Sequence, residues 1–216
     1  MTIPVLNAFT EQYPDVKLTI LTRAFFKPFF RDLKNVSVLE ADIKGKHKGV
    51  FGLYKLSKEL KKTNIDAVAD LHNVLRSNIL KGFFFGKQFI QIDKGREEKK
   101  ALISGKVFQQ LKTTHQRYVD VFETLGFPLN LSKPTFSKKA ILNQKLQLIL
   151  DEESKKQIGI ALFAAHESKM YPLDLMKEVV KSLSKTHKII LFGGGTHEID
   201  LLNGFENEFE NTVTIA

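Results

Sequence analysis

Residues 158–200 constrain the fold of this chain more than any other stretch. They read as an apolar run (158–162), a polar loop (163–171) and a proline-started helix (172–183). A second apolar run (188–192) then meets Gly193, Gly194 and Gly195, and Thr196, His197 and Glu198 open a further helix. Strand, loop, helix, strand, glycine turn, helix is the order of a βαβ unit in a parallel sheet. Ligands of such sheets bind outside the carboxyl ends of the strands, and both loops lie at such ends. Ser168 and Lys169 precede one predicted helix, while three glycines and Glu198 follow the second strand. A cation, backbone N–H groups and a carboxylate at one sheet edge suit a nucleotide-linked substrate.

The rest of the chain repeats the alternation. Residues 1–13 carry an apolar pattern at helical spacing, and 15–22 alternates like a strand. A doubly wound domain opens with a strand before its first helix, so this chain reads as starting inside a βαβ unit. Residues 24–31 form a short aromatic helix interrupted by Pro28, with phenylalanines that read as core or domain-contact residues. A strand at 36–40, a basic turn at 45–49 and a helix over 50–62 follow. The run 65–71 is a buried strand, after which Arg76 and Ser77 fall in the first turn of a helix ending near Gly82. That is the place for an anion site; pairing of Arg76 with an acidic neighbour is the competing reading. Another strand covers 87–93, residues 94–112 are basic and helix-prone, and an amphipathic helix opened by His115 ends at Gly126 and Pro128. Residues 130–157, rich in lysine, read as the crossing between two domains, and a last strand covers 212–215. The expected division is 1–140, a linker over 141–157, and 158–216 as a second, incomplete domain.

Each motif alone has a plainer explanation. Lys169 before a helix started by Pro172 would meet an anion with a full charge and a dipole end, or would simply be a surface lysine. The glycine run lets backbone approach a ligand, and Glu198 would accept from ribose hydroxyls; a glycine turn with a first-turn carboxylate explains the same residues. It is neither the G-x-G-x-x-G fingerprint nor a P-loop.

Composition narrows the choices. The 216 residues contain no cysteine, so disulfides, a thiol nucleophile and cysteine zinc sites are excluded. No apolar run reaches membrane-spanning length, and the expected location is the cytoplasm. The net charge of +9 favours encounter with polyanions. With no Trp and only 4 Tyr, the chain lacks an aromatic platform for nucleic acid, which is not expected as a partner. No metal-ligand cluster stands out, and no cofactor is expected.

Taken together, these residues resemble glycosyltransferase family 9, the ADP-heptose:lipopolysaccharide heptosyltransferases. Residues 1–15 look like the family's first helix, and Asp70 and Leu71 with Arg76 and Ser77 are similar to its third-strand motif. Residues 115–126 look like its Arg-Tyr…Leu-Gly helix, and 164–172 and 193–198 resemble its nucleotide-facing loops. The resemblance implies a GT-B architecture of two Rossmann-like parallel-sheet domains, the first here without its opening strand. It implies metal-independent, inverting transfer of heptose from ADP-heptose, or a similar nucleotide sugar, to the lipopolysaccharide inner core. By that pattern Ser168 and Lys169 meet the diphosphate, Gly193, Gly194, Gly195 and Glu198 the nucleoside side, and Arg76 and Ser77 the acidic acceptor. Peripheral contact with the inner membrane surface fits such an acceptor. The family's base is an Asp before its first helix, and a later Asp…His loop helps hold the donor. Both would fall outside residues 1–216, so the expectation is that this chain alone does not catalyse transfer. The alternatives are a related transferase using another nucleotide sugar and a non-catalytic nucleotide- or polyanion-binding module.

Overall fold

A computed structural model of the chain describes residues 1–133, 141–151 and 155–215. It divides into two compact units, Met1–Lys139 and Ala140–Ala216. Residues 134–140 and 152–154, inside the expected interdomain crossing, lie outside the described residues.

The first unit runs α1 (Thr2–Gln12), β1 (Leu18–Thr22), a 3-10 segment (Ala24–Phe30), β2 (Val36–Glu40) and α2 (Gly49–Lys61). It continues with β3 (Ala67–Asp70), α3 (Leu75–Phe83), β4 (Gln88–Gln91), α4 (Arg96–Ile103) and α5 (Thr114–Thr124). Strands β1 and β2 pair in parallel, as do β3 and β4, in two separate two-stranded sheets. Alternating side chains put β1, β2 and β3 each in contact with two cores, while β4 meets one. Leu18, Ile20, Val36 and Ala69 pack with Val5, Leu6 and Phe9 of α1 and Phe122 of α5. Leu21, Leu39, Val68 and Phe89 pack on the other face with Leu53, Leu56 and Leu60 of α2 and Leu80 of α3. Helices on both faces of parallel strands are the layering of a doubly wound fold. The Phe9 ring lies 4.8 Å from that of Phe122 and 5.5 Å from that of Phe127, fixing α1 against α5. Helix α5 starts on a capping box: Thr113 Oγ1 accepts from the Gln116 N–H at 3.2 Å, and Gln116 Oε1 accepts from the Thr113 N–H at 3.1 Å.

The second unit runs α6 (Gln144–Asp151), β5 (Gln157–Ala161), a short 3-10 turn (Glu167–Lys169), α7 (Leu173–Leu183), β6 (Lys188–Phe192), α8 (Thr196–Glu208) and β7 (Thr212–Ile215). Its parallel sheet has the order β5-β6-β7. Strand β6, paired on both sides, is buried over its first four residues, as its unbroken apolar run predicts. Ile189 and Leu191 join Val180 of α7 and Leu202 and Phe205 of α8 in a single core.

Three expectations change. Helix α6 falls where a linker was expected, because Leu146, Leu148, Ile149 and Leu150 cluster at helical spacing. Pro172 caps α7 from outside, at φ −53° and ψ 129°, and does not occupy the first helical position. Of the phenylalanines in the 3-10 segment, only Phe30 joins a core cluster, while Phe25 and Phe29 are exposed.

Candidate functional site

The β5–β6 loops come first because they carry most of the candidate residues. Strands β5 and β6 are neighbours in register, Ala161 beside Phe192, so the loops leaving their carboxyl ends emerge side by side. Ser168 and Lys169, both exposed, sit in the 3-10 turn, which closes with the Lys169 N–H donating to His166 O at 3.0 Å. The turn directly precedes the N-terminus of α7.

In the second loop the three glycines do different work. A Cβ on Gly193 would come within 2.7 Å of Leu202 Cδ1 and 3.2 Å of Phe163 Cδ2, so only glycine lets β6 meet α8 this closely. Gly195 has φ +90°, a backbone state that side chains disfavour, and it caps α8. Gly194 faces open space, and no atom lies where a Cβ would project. Its N–H donates to Glu198 Oε2 at 2.9 Å, so one carboxylate oxygen of Glu198 already closes the loop.

The β3 end of the first unit is wired differently. Asp70, 8% exposed, is the last residue of β3. Its Oδ1 accepts from the backbone N–H groups of His72 and Asn73, each at 2.9 Å, and its Oδ2 from Gln91 Nε2 at 3.0 Å. Burial alone would raise the Asp70 pKa. Hydrogen bonding with Ser77, Gln91 and those two N–H groups reverses that and holds the pKa below its ordinary value. Asn73, at φ 44°, donates its side-chain amide to Ile92 O at 3.0 Å, tying the β3 loop to the end of β4.

Ser77 closes the first turn of α3 by accepting from the Val74 N–H at 2.9 Å, and its hydroxyl also lies 2.9 Å from Val74 O. Arg76 is exposed and makes no ion pair among the described residues. Neither lines the nearby cleft of about 690 Å³, whose walls include Asn73, Asn78, Lys94, Gly95 and Arg96.

That cleft brings in residues that sequence reasoning missed. Lys94 Nζ donates to Asn73 O at 2.9 Å, placing a cation at the ends of both β3 and β4. Its signal was its position directly after a predicted strand. Arg117 of α5, 5% exposed, holds the loop into α4 from behind, pairing with Glu98 Oε2 at 2.7 Å and reaching Asp93 O at 3.3 Å. A Cβ on Gly95, at φ +60°, would collide with its guanidinium. Among the described residues, no group of three or more His, Asp or Glu is arranged to hold a metal, and no helix is long and apolar enough to cross a membrane.

The structure resembles that of a glycosyl transferase family 9 protein from Veillonella parvula. The TM-score is 0.73 at 16% identity, covering 99% of this chain and 65% of that one. It also resembles the E. coli heptosyltransferase WaaC solved with ADP, with a TM-score of 0.67 at 16% identity over 100% of this chain and 70% of that one. This chain thus spans just under two thirds of the length of the Veillonella protein. At that identity both likenesses speak to the fold, a parallel α/β architecture of the GT-B-like kind. No curated protein matches the chain. The family model for glycosyltransferase family 9 (heptosyltransferase) matches residues 53–215, from α2 through β7. The chain belongs to glycosyltransferase family 9.

Proposed function

We propose that the second unit binds the diphosphate and ribose of a nucleotide sugar, ADP-heptose or a close analogue. The first unit then offers Arg76 to an acidic lipopolysaccharide-core acceptor, while Ser77, expected beside it, is taken up in closing the first turn of α3. The observation that carries this reading is the adjacency of two loops at the ends of β5 and β6. Lys169 stands before the N-terminus of α7, and Gly194 lies open beside the N-terminus of α8. A diphosphate between these loops would meet a full positive charge and two helix dipole ends. In the transition state of glycosyl transfer, negative charge develops on that leaving group, where such fixed donors act most strongly. The solved WaaC structure, which carries ADP, supports a nucleotide in the same family. A protein with this role works in the cytoplasm.

The reaction also needs a base for the acceptor hydroxyl. Asp70 is unsuited to that work, because its lowered pKa and its hydrogen bonds leave it a weak proton acceptor. It acts as a positioning carboxylate for the β3 loop. The second half of the proposal is that the 216-residue chain binds donor without turning it over.

Calorimetric titration with ADP tests the binding half. Saturable binding is expected, weakened about tenfold by Lys169→Ala, the scale of one hydrogen bond to a charged group. Glu198→Ala weakens it as well, by removing a ribose acceptor and opening the glycine loop. Unchanged affinity in both variants would remove these loops from the site. Turnover of ADP-heptose by the chain on its own would overturn the second half.

A further inference from the structure

Tyr171, in the loop between β5 and α7, stands apart from the other tyrosines of the chain. It is 51% exposed, and among the described residues its ring meets no other ring and its hydroxyl no hydrogen-bonding partner. The rest are engaged. Tyr13 packs against Phe9 and Phe127 and donates to Pro128 O at 2.8 Å. Tyr54 meets the Phe83 ring and Lys58, and Tyr118 lies against the core shared by α1 and α5. An aromatic body with an unused polar tip suits a ligand that has both apolar and hydroxyl surface.

The backbone holds that ring close to Lys169. Met170 leaves the 3-10 turn extended, at φ −91° and ψ 140°, and Pro172 is extended at φ −53° and ψ 129°. The residue before a proline is itself confined to the extended region, so Tyr171 has little backbone freedom to swing away. Exposure alternates as it does along an extended run: Lys169 and Tyr171 are exposed, and Met170 between them is half-buried. Two residues apart, the Cα atoms of Lys169 and Tyr171 lie within about 7 Å of each other.

A nucleotide sugar is a line of four parts: base, ribose, diphosphate, sugar. With the diphosphate at Lys169 and the ribose at Glu198 on the β6 loop, the base lies a ribose further off. What remains next to the diphosphate, within reach of Lys169's neighbour on the β5 loop, is the sugar. We propose that Tyr171 is a specificity-determining residue that stacks on the C–H face of the transferred sugar and turns its hydroxyl toward the sugar's hydroxyls. The face of an aromatic ring is electron-rich, and the C–H groups of a sugar ring carry partial positive charge, so the two attract as they bury apolar area. This inference rests on the donor-loop reading above and adds to it a residue that selects the sugar, where Lys169 and Glu198 select the nucleotide.

The test is calorimetric titration of the 216-residue chain with ADP and, separately, with ADP-heptose. Tyr171→Ala is expected to weaken ADP-heptose binding about tenfold, the scale of one aromatic contact, while ADP binding stays within about twofold. Tyr171→Phe keeps the ring and should lose only about threefold toward ADP-heptose, the share of one neutral hydrogen bond. Lys169→Ala, by contrast, lowers both affinities alike. Circular dichroism checks the fold of each variant, and Tyr171→Leu, apolar but without a π face, replaces the alanine variant if that one unfolds. Equal losses for both ligands in Tyr171→Ala would put the ring on the nucleoside and overturn the proposal. Unchanged ADP-heptose affinity, or a phenylalanine variant no better than the alanine one, would do the same. An unsubstituted chain that fails to bind ADP would instead sink the donor-loop reading, and this inference with it.

Discussion

The β3 end of the first unit and the β5–β6 end of the second occupy equivalent places in a parallel α/β design, yet they use their polar groups in opposite ways. At β3 the one buried carboxylate accepts from two backbone N–H groups and one side-chain amide, and Lys94 and Asn73 stitch that loop to the end of β4. At β5–β6 the exposed Ser168 and Lys169 make no side-chain hydrogen bond or ion pair among the described residues, and Gly194 faces open space. One end is built to hold its own shape and the other to leave groups for something else. That contrast is why we assign the nucleotide to the second unit and ask of the first only that it present Arg76.

If the first unit depends on internal wiring, cutting that wiring should cost most. Arg117 is the strongest candidate, buried behind α4 with Glu98 and the Asp93 carbonyl as partners. Arg117→Ala is expected to destabilise the chain by about 3 kcal/mol in urea unfolding, since it empties the space of a buried side chain and removes its hydrogen bonds to Glu98 and the Asp93 carbonyl. Glu98→Gln should cost about 1 kcal/mol, because Glu98 is itself nearly half exposed and keeps a hydrogen-bonding group. A loss below 1 kcal/mol for Arg117→Ala would mean the cleft wall is held by something else.

In the second unit the comparison turns on two adjacent glycines. Gly193→Ala forces a methyl against Leu202 and Phe163, and such overpacking costs about 2 kcal/mol. Gly194→Ala meets nothing and should leave stability within a few tenths of a kcal/mol. The same Gly194 methyl would stand where a ligand approaches the backbone, so ADP affinity should fall while the melting temperature does not. If both substitutions destabilise alike, the loop is structural throughout and the nucleotide reading weakens.

How much of this was legible depends on what each signal rests on. The runs at 36–40, 188–192 and 212–215 gave strands with those bounds, because unbroken or alternating apolar residues leave little choice. The helix over 144–151 was hidden inside a lysine-rich stretch, where charge outweighed a short apolar cluster. The 3-10 segment misled in the other direction. Four phenylalanines in seven residues look like core, and only the backbone shows that two of them point away from it. Residue types at strand ends singled out Lys169, Glu198 and the glycines, and the fold brings their two loops to neighbouring strand ends. Spacing could not separate Gly193, fixed by packing, from Gly194, which is open. Nor could it show that Arg117, some twenty residues beyond the β4 loop, reaches back to support it. Long-range contacts of that kind carry no local periodicity.

The smallest effect we expect is also the most specific to the wired end. Above about pH 5 the Asp70 carboxylate is ionised in both folded and unfolded chains, and its hydrogen bonds contribute fully. Because the folded pKa lies below the ordinary 3.8, that contribution disappears as pH falls from there through the lower folded value. Asp70→Asn retains the shape and has no proton to gain. It should be about 1 kcal/mol less stable at pH 7, from weaker acceptance of the His72 and Asn73 N–H groups. Its disadvantage should then shrink as the native protein loses stability below pH 4. Unfolding free energies measured from pH 7 down to about pH 2.5 decide the matter, because the two curves must converge on the acid side. Parallel curves would mean that Asp70 takes no more from the folded loop than from water, and the contrast between the two strand ends would lose its main support.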